Sequence, residues 1–216
     1  MDKRWMIYGA NGFTAQLMIE VALERGMKPI LAGRSLDKIA FIAEKHDLET
    51  RVFSLNNKLQ SQETLKHIDL VVNAAGPFIY TANPMQQACL ATQTHYLDIT
   101  GELPVFRETY ALDEAAQGAG CTLISGMGFD IVPSDCLASY VIQQVNTPIE
   151  VEVAISGTGG KPSAGTLKTV IELIDEKPSY LRKGKYVPFS LGSGGRWVPY
   201  PNRELFAIPV PLGDLA

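Results

Sequence analysis

The sequence predicts an α/β protein: a doubly wound parallel sheet followed by a second, smaller and incomplete α+β part. Three observations predict it. Short apolar runs alternate with segments of helical period from Trp5 to about Val145. The first run, Trp5 to Tyr8, passes through Gly9 and Gly12 directly into such a segment. A later run, Asp69 to Ala75, is of the continuous apolar kind that is buried on both faces of a parallel sheet.

The first strand, Trp5 to Tyr8, turns into a helix from Phe13 to Arg25, with Leu17, Val21 and Ala22 expected on one face. Gly9 lets the chain turn sharply, Gly12 lets bare backbone approach a ligand, and the small Ala15 lets the helix pack close to its strand. The unpaired N–H groups of that first turn, with the positive end of the helix dipole, suit a phosphate or pyrophosphate. The opening therefore reads as a dinucleotide cradle formed by Gly9, Asn11, Gly12, Phe13 and Thr14.

A second strand, Pro29 to Ala32, ends at Gly33-Arg34-Ser35, and Ser35 is expected to cap a helix carrying Leu36, Ile39, Ala40 and Ala43 as far as His46. An acidic residue at this turn would take the ribose hydroxyls of NAD, whereas an arginine suits a 2′-phosphate. Arg34, the Ser35 hydroxyl and nearby Lys38 select NADP. The same guanidinium has the wrong sign for the ribose of S-adenosylmethionine, which argues against a methyltransferase.

Thr50 to Leu55 is expected as a third strand and Glu63 to His67 as a short helical approach to the fourth, Asp69 to Ala75. Asn73, Ala74, Gly76 and Pro77, at or beyond that strand's carboxyl end, are placed along the ribose and nicotinamide. Asn83-Pro84 is expected to open the next helix, with asparagine as its cap. No Asp, Glu, Lys or Arg occurs between Val71 and Thr94, as suits an inner strand and a segment folding over a cofactor, and Tyr80 and Thr81 are within reach of the reacting end.

His95 to Ile99 is a fifth strand, Pro104 to Gln117 a helix, and Cys121 to Ser125 a sixth strand. Asp98 and Glu102, where a strand meets its loop, are candidates to orient substrate or hold a proton, or else to cap the following helix. Pro133-Ser134-Asp135 opens a helix running to about Val145. From Ile149 the pattern changes, since Glu150 to Ile155 alternates as a half-exposed strand does. A boundary near Asn146 divides a cofactor domain, 1–146, from a second domain, 147–216, for substrate or dimerisation. Ala164 to Asp175 is expected there as a helix.

Hydrophobic residues make up 46% of the 216-residue chain, charged residues 19%, and the net charge is −4, which gives no reason to expect nucleic acid. Cys89, Cys121 and Cys136 are widely spaced and odd in number, which excludes a disulfide framework and a zinc motif and fits a cytoplasmic protein; no metal is expected. No signal-like apolar stretch follows Met1-Asp2-Lys3-Arg4, and prolines and amides interrupt the charge-free stretch, so no membrane span is expected. Six basic residues and no acidic one lie between Lys177 and Arg203, interleaved with Tyr180, Tyr186, Phe189, Trp197 and Tyr200. That segment reads first as a solvated sheet face, then as a mouth for an anionic small-molecule substrate; a single-stranded nucleic-acid groove ranks behind both.

Taken in order, Tyr8-Gly9-Ala10-Asn11-Gly12-Phe13-Thr14, Ala32-Gly33-Arg34-Ser35, Asn73-Ala74-Ala75-Gly76-Pro77-Phe78, Tyr96-Leu97-Asp98-Ile99-Thr100-Gly101-Glu102 and Gly128-Phe129-Asp130-Ile131-Val132-Pro133-Ser134-Asp135 resemble the saccharopine dehydrogenase-like oxidoreductases, including the trans-acting enoyl reductases. Ser163-Ala164-Gly165-Thr166 is similar to that family's small-residue turn in its second domain. The resemblance implies a Rossmann-type NADP-binding domain, a second α/β domain, and hydride transfer to or from an enoyl or imine-like bond. It also implies that a complete member continues beyond Gly213-Asp214-Leu215-Ala216. By residue type, Tyr80, Asp98, Glu102 and Lys168 are candidate acids, and a homodimer is compatible with the pattern. The alternative is an NADP-binding regulatory or assembly protein without catalysis.

Overall fold

Six parallel strands, β1 (Trp5–Tyr8), β2 (Ile30–Gly33), β3 (Thr50–Val52), β4 (Leu70–Asn73), β5 (His95–Asp98) and β6 (Leu123–Ile124), hydrogen-bond in the order β3-β2-β1-β4-β5-β6. The computed structural model describes residues 3–129, 131–156, 179–183, 185–190 and 193–210. The strand order reverses between β1 and β4, and open α/β sheets bind ligands in the crevice beyond the carboxyl ends at that reversal. The register sets its walls: Tyr8 is opposite both Ala32 and Asn73, so Gly9 and Ala74 leave the sheet side by side, next to Gly33 at the end of β2.

Side chains alternate across the strands and so feed two separate cores. On one face Ile7 and Leu31 meet Ala15 and Ile19 of α1 (Phe13–Glu24) and Ala43 of α2 (Ala40–His46). On the other, Met6, Tyr8, Val71 and Tyr96 pack with Leu65 of α3 (Lys58–Leu65), with Met85 and Cys89 of α4 (Phe78–Thr92) and with Val105 of α5 (Leu103–Ala111). Full burial of a side chain such as Ile19 contributes about 1.5–3 kcal/mol.

Several local expectations are corrected. In α1 the buried face is Ala15, Ile19 and Ala22, at helical spacing, while Leu17 and Val21 lie on another stripe, 47% and 45% exposed. Ser35 precedes a 3₁₀ turn, Leu36–Lys38, and makes no side-chain cap bond. Asn57 supplies a cap that the sequence reading passes over: its side-chain oxygen accepts from Gln60 N at 3.1 Å and starts α3 well before Glu63. α4 begins at Phe78, so Pro84 lies inside it instead of opening it. The helix survives its missing N–H because Phe78, Ala82, Met85, Ala88 and Cys89 are buried along one face. The helix expected over Pro104 to Gln117 breaks at Leu112 into α5 and α6 (Asp113–Ala119).

Beyond the sheet, α7 (Val132–Gln143) has Pro133 in its first turn as expected and buries none of its side chains. Ile149 to Ile155 is not a strand, because alternation provides no ladder partner, and its apolar residues are exposed. Two antiparallel hairpins follow, β7 (Ser179–Arg182) with β8 (Lys185–Pro188), and β9 (Arg196–Tyr200) with β10 (Arg203–Ala207). Arg196 pairs with Glu152, and the Arg107 guanidinium of α5 lies 4.3 Å from the centre of the Tyr186 ring. The helix expected at Ala164 to Asp175, the turn at Ser163 to Thr166, and Lys168 and Lys177 lie outside the described residues. Among the described residues no helix is long and apolar enough to cross a membrane.

Candidate functional site

The turn out of β1 is fixed by backbone bonds to the neighbouring strand's end: Gly9 N and Ala10 N both donate to Ala32 O, at 2.8 and 3.1 Å. Gly9 adopts φ +82°, and a β-carbon there would lie 2.8 Å from Ala75 Cβ, so this position requires glycine twice over. Gly12 N closes the loop on Gly9 O at 2.8 Å, and Gly12 becomes the N-cap of α1 without any side-chain cap bond. The first turn of α1 holds no acidic residue, and Asn11, Phe13 and Thr14 around it are exposed. A helix dipole facing an open crevice with no side-chain cap fits a phosphate group.

Arg34 and Ser35 follow β2 on the same edge of the sheet, Arg34 exposed and Ser35 in extended backbone. Burial raises the pKa of the Tyr8 phenol, and the Arg34 charge acts against that rise. Tyr8 Oη donates to Phe53 O at 3.3 Å, and the two ring centroids are 4.9 Å apart in the core.

The far wall is the loop Ala74 to Pro77, which is tied at both ends. At its start Asn73 is fully buried: its Oδ1 accepts from Ala75 N at 3.2 Å and its Nδ2 donates to Thr81 Oγ1 and Tyr96 Oη at 3.2 and 3.3 Å. Thr81 Oγ1 in turn donates to Ala75 O at 2.7 Å. At the loop's end, Glu102 accepts from Phe78 N at 2.9 Å and Ile79 N at 2.7 Å, capping the first turn of α4 from the beginning of another helix.

Asp98 is fully buried opposite Asn73 in the β4–β5 register. One oxygen accepts from Thr100 N and Gly126 N, the other from Tyr96 Oη at 2.7 Å and Ser125 Oγ at 2.9 Å. Desolvation raises the Asp98 pKa, and these four donors offset part of that rise. Tyr96 is pushed well up by burial first and by the Asp98 charge second.

Of the residues singled out from sequence, Gly9, Asn11, Gly12, Phe13, Thr14, Arg34, Ser35, Asn73, Ala74, Gly76 and Pro77 all lie at or just beyond the carboxyl ends of the neighbouring strands β2, β1 and β4. Tyr80 lies on the first turn of α4 and is 58% exposed. Asp98 and Glu102 are different: both are buried, and their carboxylates hold backbone amides. Neither caps the helix that follows it: Asp98 accepts from the loop amides of Thr100 and Gly126, α5 has no side-chain cap bond, and Glu102 caps α4 instead. Tyr96, Thr100, Ser125 and Gly126 complete this polar group and were not singled out as site residues. The visible signal was that Asn73 and Asp98 both close apolar strands with a polar side chain. Among the described residues no cluster of His, Cys, Asp and Glu could hold a metal ion.

Comparisons with known proteins show which family the chain is similar to. Residues 5–124 match the saccharopine dehydrogenase NADP binding domain. A rat saccharopine dehydrogenase-like oxidoreductase is 30% identical over 98% of this chain and 57% of its own length. A Mycobacterium tuberculosis relative whose name is that of a trans-acting enoyl reductase is 28% identical over 78% of this chain and 43% of its own. Apo saccharopine dehydrogenase (L-Glu forming) from Saccharomyces cerevisiae superposes with a TM-score of 0.66 at 16% identity, over 97% of this chain and 50% of that one, a likeness of fold. The chain spans about half the length of the curated relatives it matches.

Proposed function

The chain belongs to the saccharopine dehydrogenase-like oxidoreductase family and carries its NADP-binding domain, and from that premise we propose that it transfers hydride between NADP(H) and an enoyl or imine-like small molecule. The observation that carries the reading is that a helix N-terminus without a side-chain cap follows β1 and an exposed arginine follows the neighbouring strand β2. Gly9, Asn11, Gly12, Phe13 and Thr14 would surround the pyrophosphate. Arg34 and Ser35 would take the 2′-phosphate, and Asn73, Ala74, Gly76 and Pro77 would line the ribose and nicotinamide. The bound coenzyme supplies the hydride; the chain's own groups bind and orient it.

An anionic substrate is supported by Lys183, Lys185 and Arg203 on or beside the two hairpins, and a reducing compartment by three free thiols. Titration with NADPH and NADH tests the coenzyme assignment, and equal or tighter binding of NADH would overturn it. Turnover of an enoyl and imine panel tests the chemistry.

A second reading, an NADP-holding regulatory or assembly protein, is favoured by one observation. The two candidate carboxylates, Asp98 and Glu102, are both committed to backbone amides. Tight NADPH binding without turnover of any panel member would select it.

A further inference from the structure

We propose that Glu102 is a positioning residue for the coenzyme: an internal anion that occupies the first turn of α4 and thereby holds the Ala74 to Pro77 loop against Gly9. This rests on the coenzyme reading above and deepens it. Glu102 is 1% exposed, so its carboxylate touches neither coenzyme nor substrate in this arrangement. Its two oxygens take the amides of Phe78 and Ile79, two of the donors that a helix start leaves unpaired. Those amides are therefore taken by an internal carboxylate, whereas the start of α1 carries no side-chain cap.

The tie reaches the crevice through short covalent steps. Phe78 follows Pro77 directly, and Ala75, two residues before Pro77, is in van der Waals contact with the Gly9 turn. Ala74 O would lie 3.7 Å from a β-carbon on Gly12, so the same loop also faces the start of α1. Asn73 fixes the loop's beginning and Glu102 its end. A loop freed at one end drifts from the nicotinamide side without disturbing the region of Arg34.

That separation makes the role measurable. In Glu102→Gln one oxygen is replaced by an NH2 group facing a backbone N–H, and a buried bond of this kind is worth on the order of a tenfold change in an equilibrium. The Kd values for NADPH and NADH should rise together, with their ratio unchanged. In Glu102→Ala, formate at constant ionic strength should refill the vacated place and restore NADPH affinity, with no effect on the unsubstituted chain.

Nucleotide affinities of Glu102→Gln within twofold of the original would overturn the proposal. So would a shift in the NADPH to NADH ratio, or a loss in Glu102→Ala that formate leaves in place. Should Glu102→Ala fail to fold, Glu102→Gln decides alone. An unsubstituted chain that binds neither nucleotide would instead defeat the coenzyme reading, and formate-dependent recovery of the Tm of Glu102→Ala would still report the tie.

Discussion

Gly9 and Ala75 meet with no room for a side chain between them: a β-carbon on Gly9 would lie 2.8 Å from Ala75 Cβ and 2.9 Å from its nitrogen. The loops after β1 and β4 are therefore one wall, and the first carries φ +82° at the point of contact. Gly9→Ala should strain the backbone and push Ala75 away, costing about 2–4 kcal/mol when the left-handed conformation and the overlap are combined. Urea unfolding should show that loss. In any folded fraction NADPH binding should weaken more than tenfold by fluorescence titration. A stable Gly9→Ala protein with unchanged affinity would mean the two loops are free to separate.

Arg34 offers a test with the opposite pattern. It is exposed, so replacing it should leave Tm nearly unchanged. Arg34→Glu removes charge-assisted bonds to a 2′-phosphate and introduces repulsion, so the Kd for NADPH should rise about tenfold to a hundredfold while that for NADH moves little. Parallel calorimetric titrations of the two nucleotides measure the difference. Equal losses for both would detach Arg34 from the 2′-phosphate and leave the α1 start as the only support for the coenzyme's placement.

The two ends of the coenzyme site were not equally legible in the sequence. The cradle and Arg34 could be read because each depends on residues within a few positions of one strand end, where glycine and a basic side chain have local meaning. Glu102 could not be read in this way. Its partners Phe78 and Ile79 are 24 and 23 residues away, and they meet it only because the β4–β5 register brings the two loops together. Asn73 and Asp98 were noticed singly, yet their pairing across strands is a property of the sheet. Local rules failed wherever packing outweighed them. Pro84 looked like a helix start, but the buried face of α4 carries the helix through it, and Leu17 and Val21 looked like a core stripe until the sheet selected Ala15, Ile19 and Ala22.

Pro84 gives a prediction of opposite sign. It lies within α4, where it contributes no N–H of its own to the helix, and an interior proline costs up to about 3 kcal/mol relative to alanine. Pro84→Ala should therefore raise Tm, with part of the gain offset by a more flexible unfolded chain. It should leave NADPH affinity unchanged, since the first turn of α4 is fixed separately by Glu102. A lower Tm would show that the proline ring is packed more favourably than the missing bond is costly.

The buried Asp98 carboxyl sets a pH dependence whose direction follows from its surroundings. Desolvation lifts its pKa in the folded chain above the ordinary carboxylate value of about 4 that the unfolded chain has. Between those two values the folded state binds the proton and the unfolded state does not, so stability falls as pH rises. The contribution is complete below about pH 4 and is lost as pH passes through the folded-state pKa. Asp98→Asn keeps one carbonyl oxygen for Thr100 N and Gly126 N and offers an NH2 group to Ser125 Oγ, but it does not titrate. The stability of Asp98→Asn minus that of the original chain should therefore rise from acid toward neutral pH. Urea unfolding at a series of pH values and fixed ionic strength measures this difference directly, with every other titrating group cancelling. A flat or falling difference would mean that the four donors around Asp98 outweigh its desolvation and hold it as a carboxylate throughout.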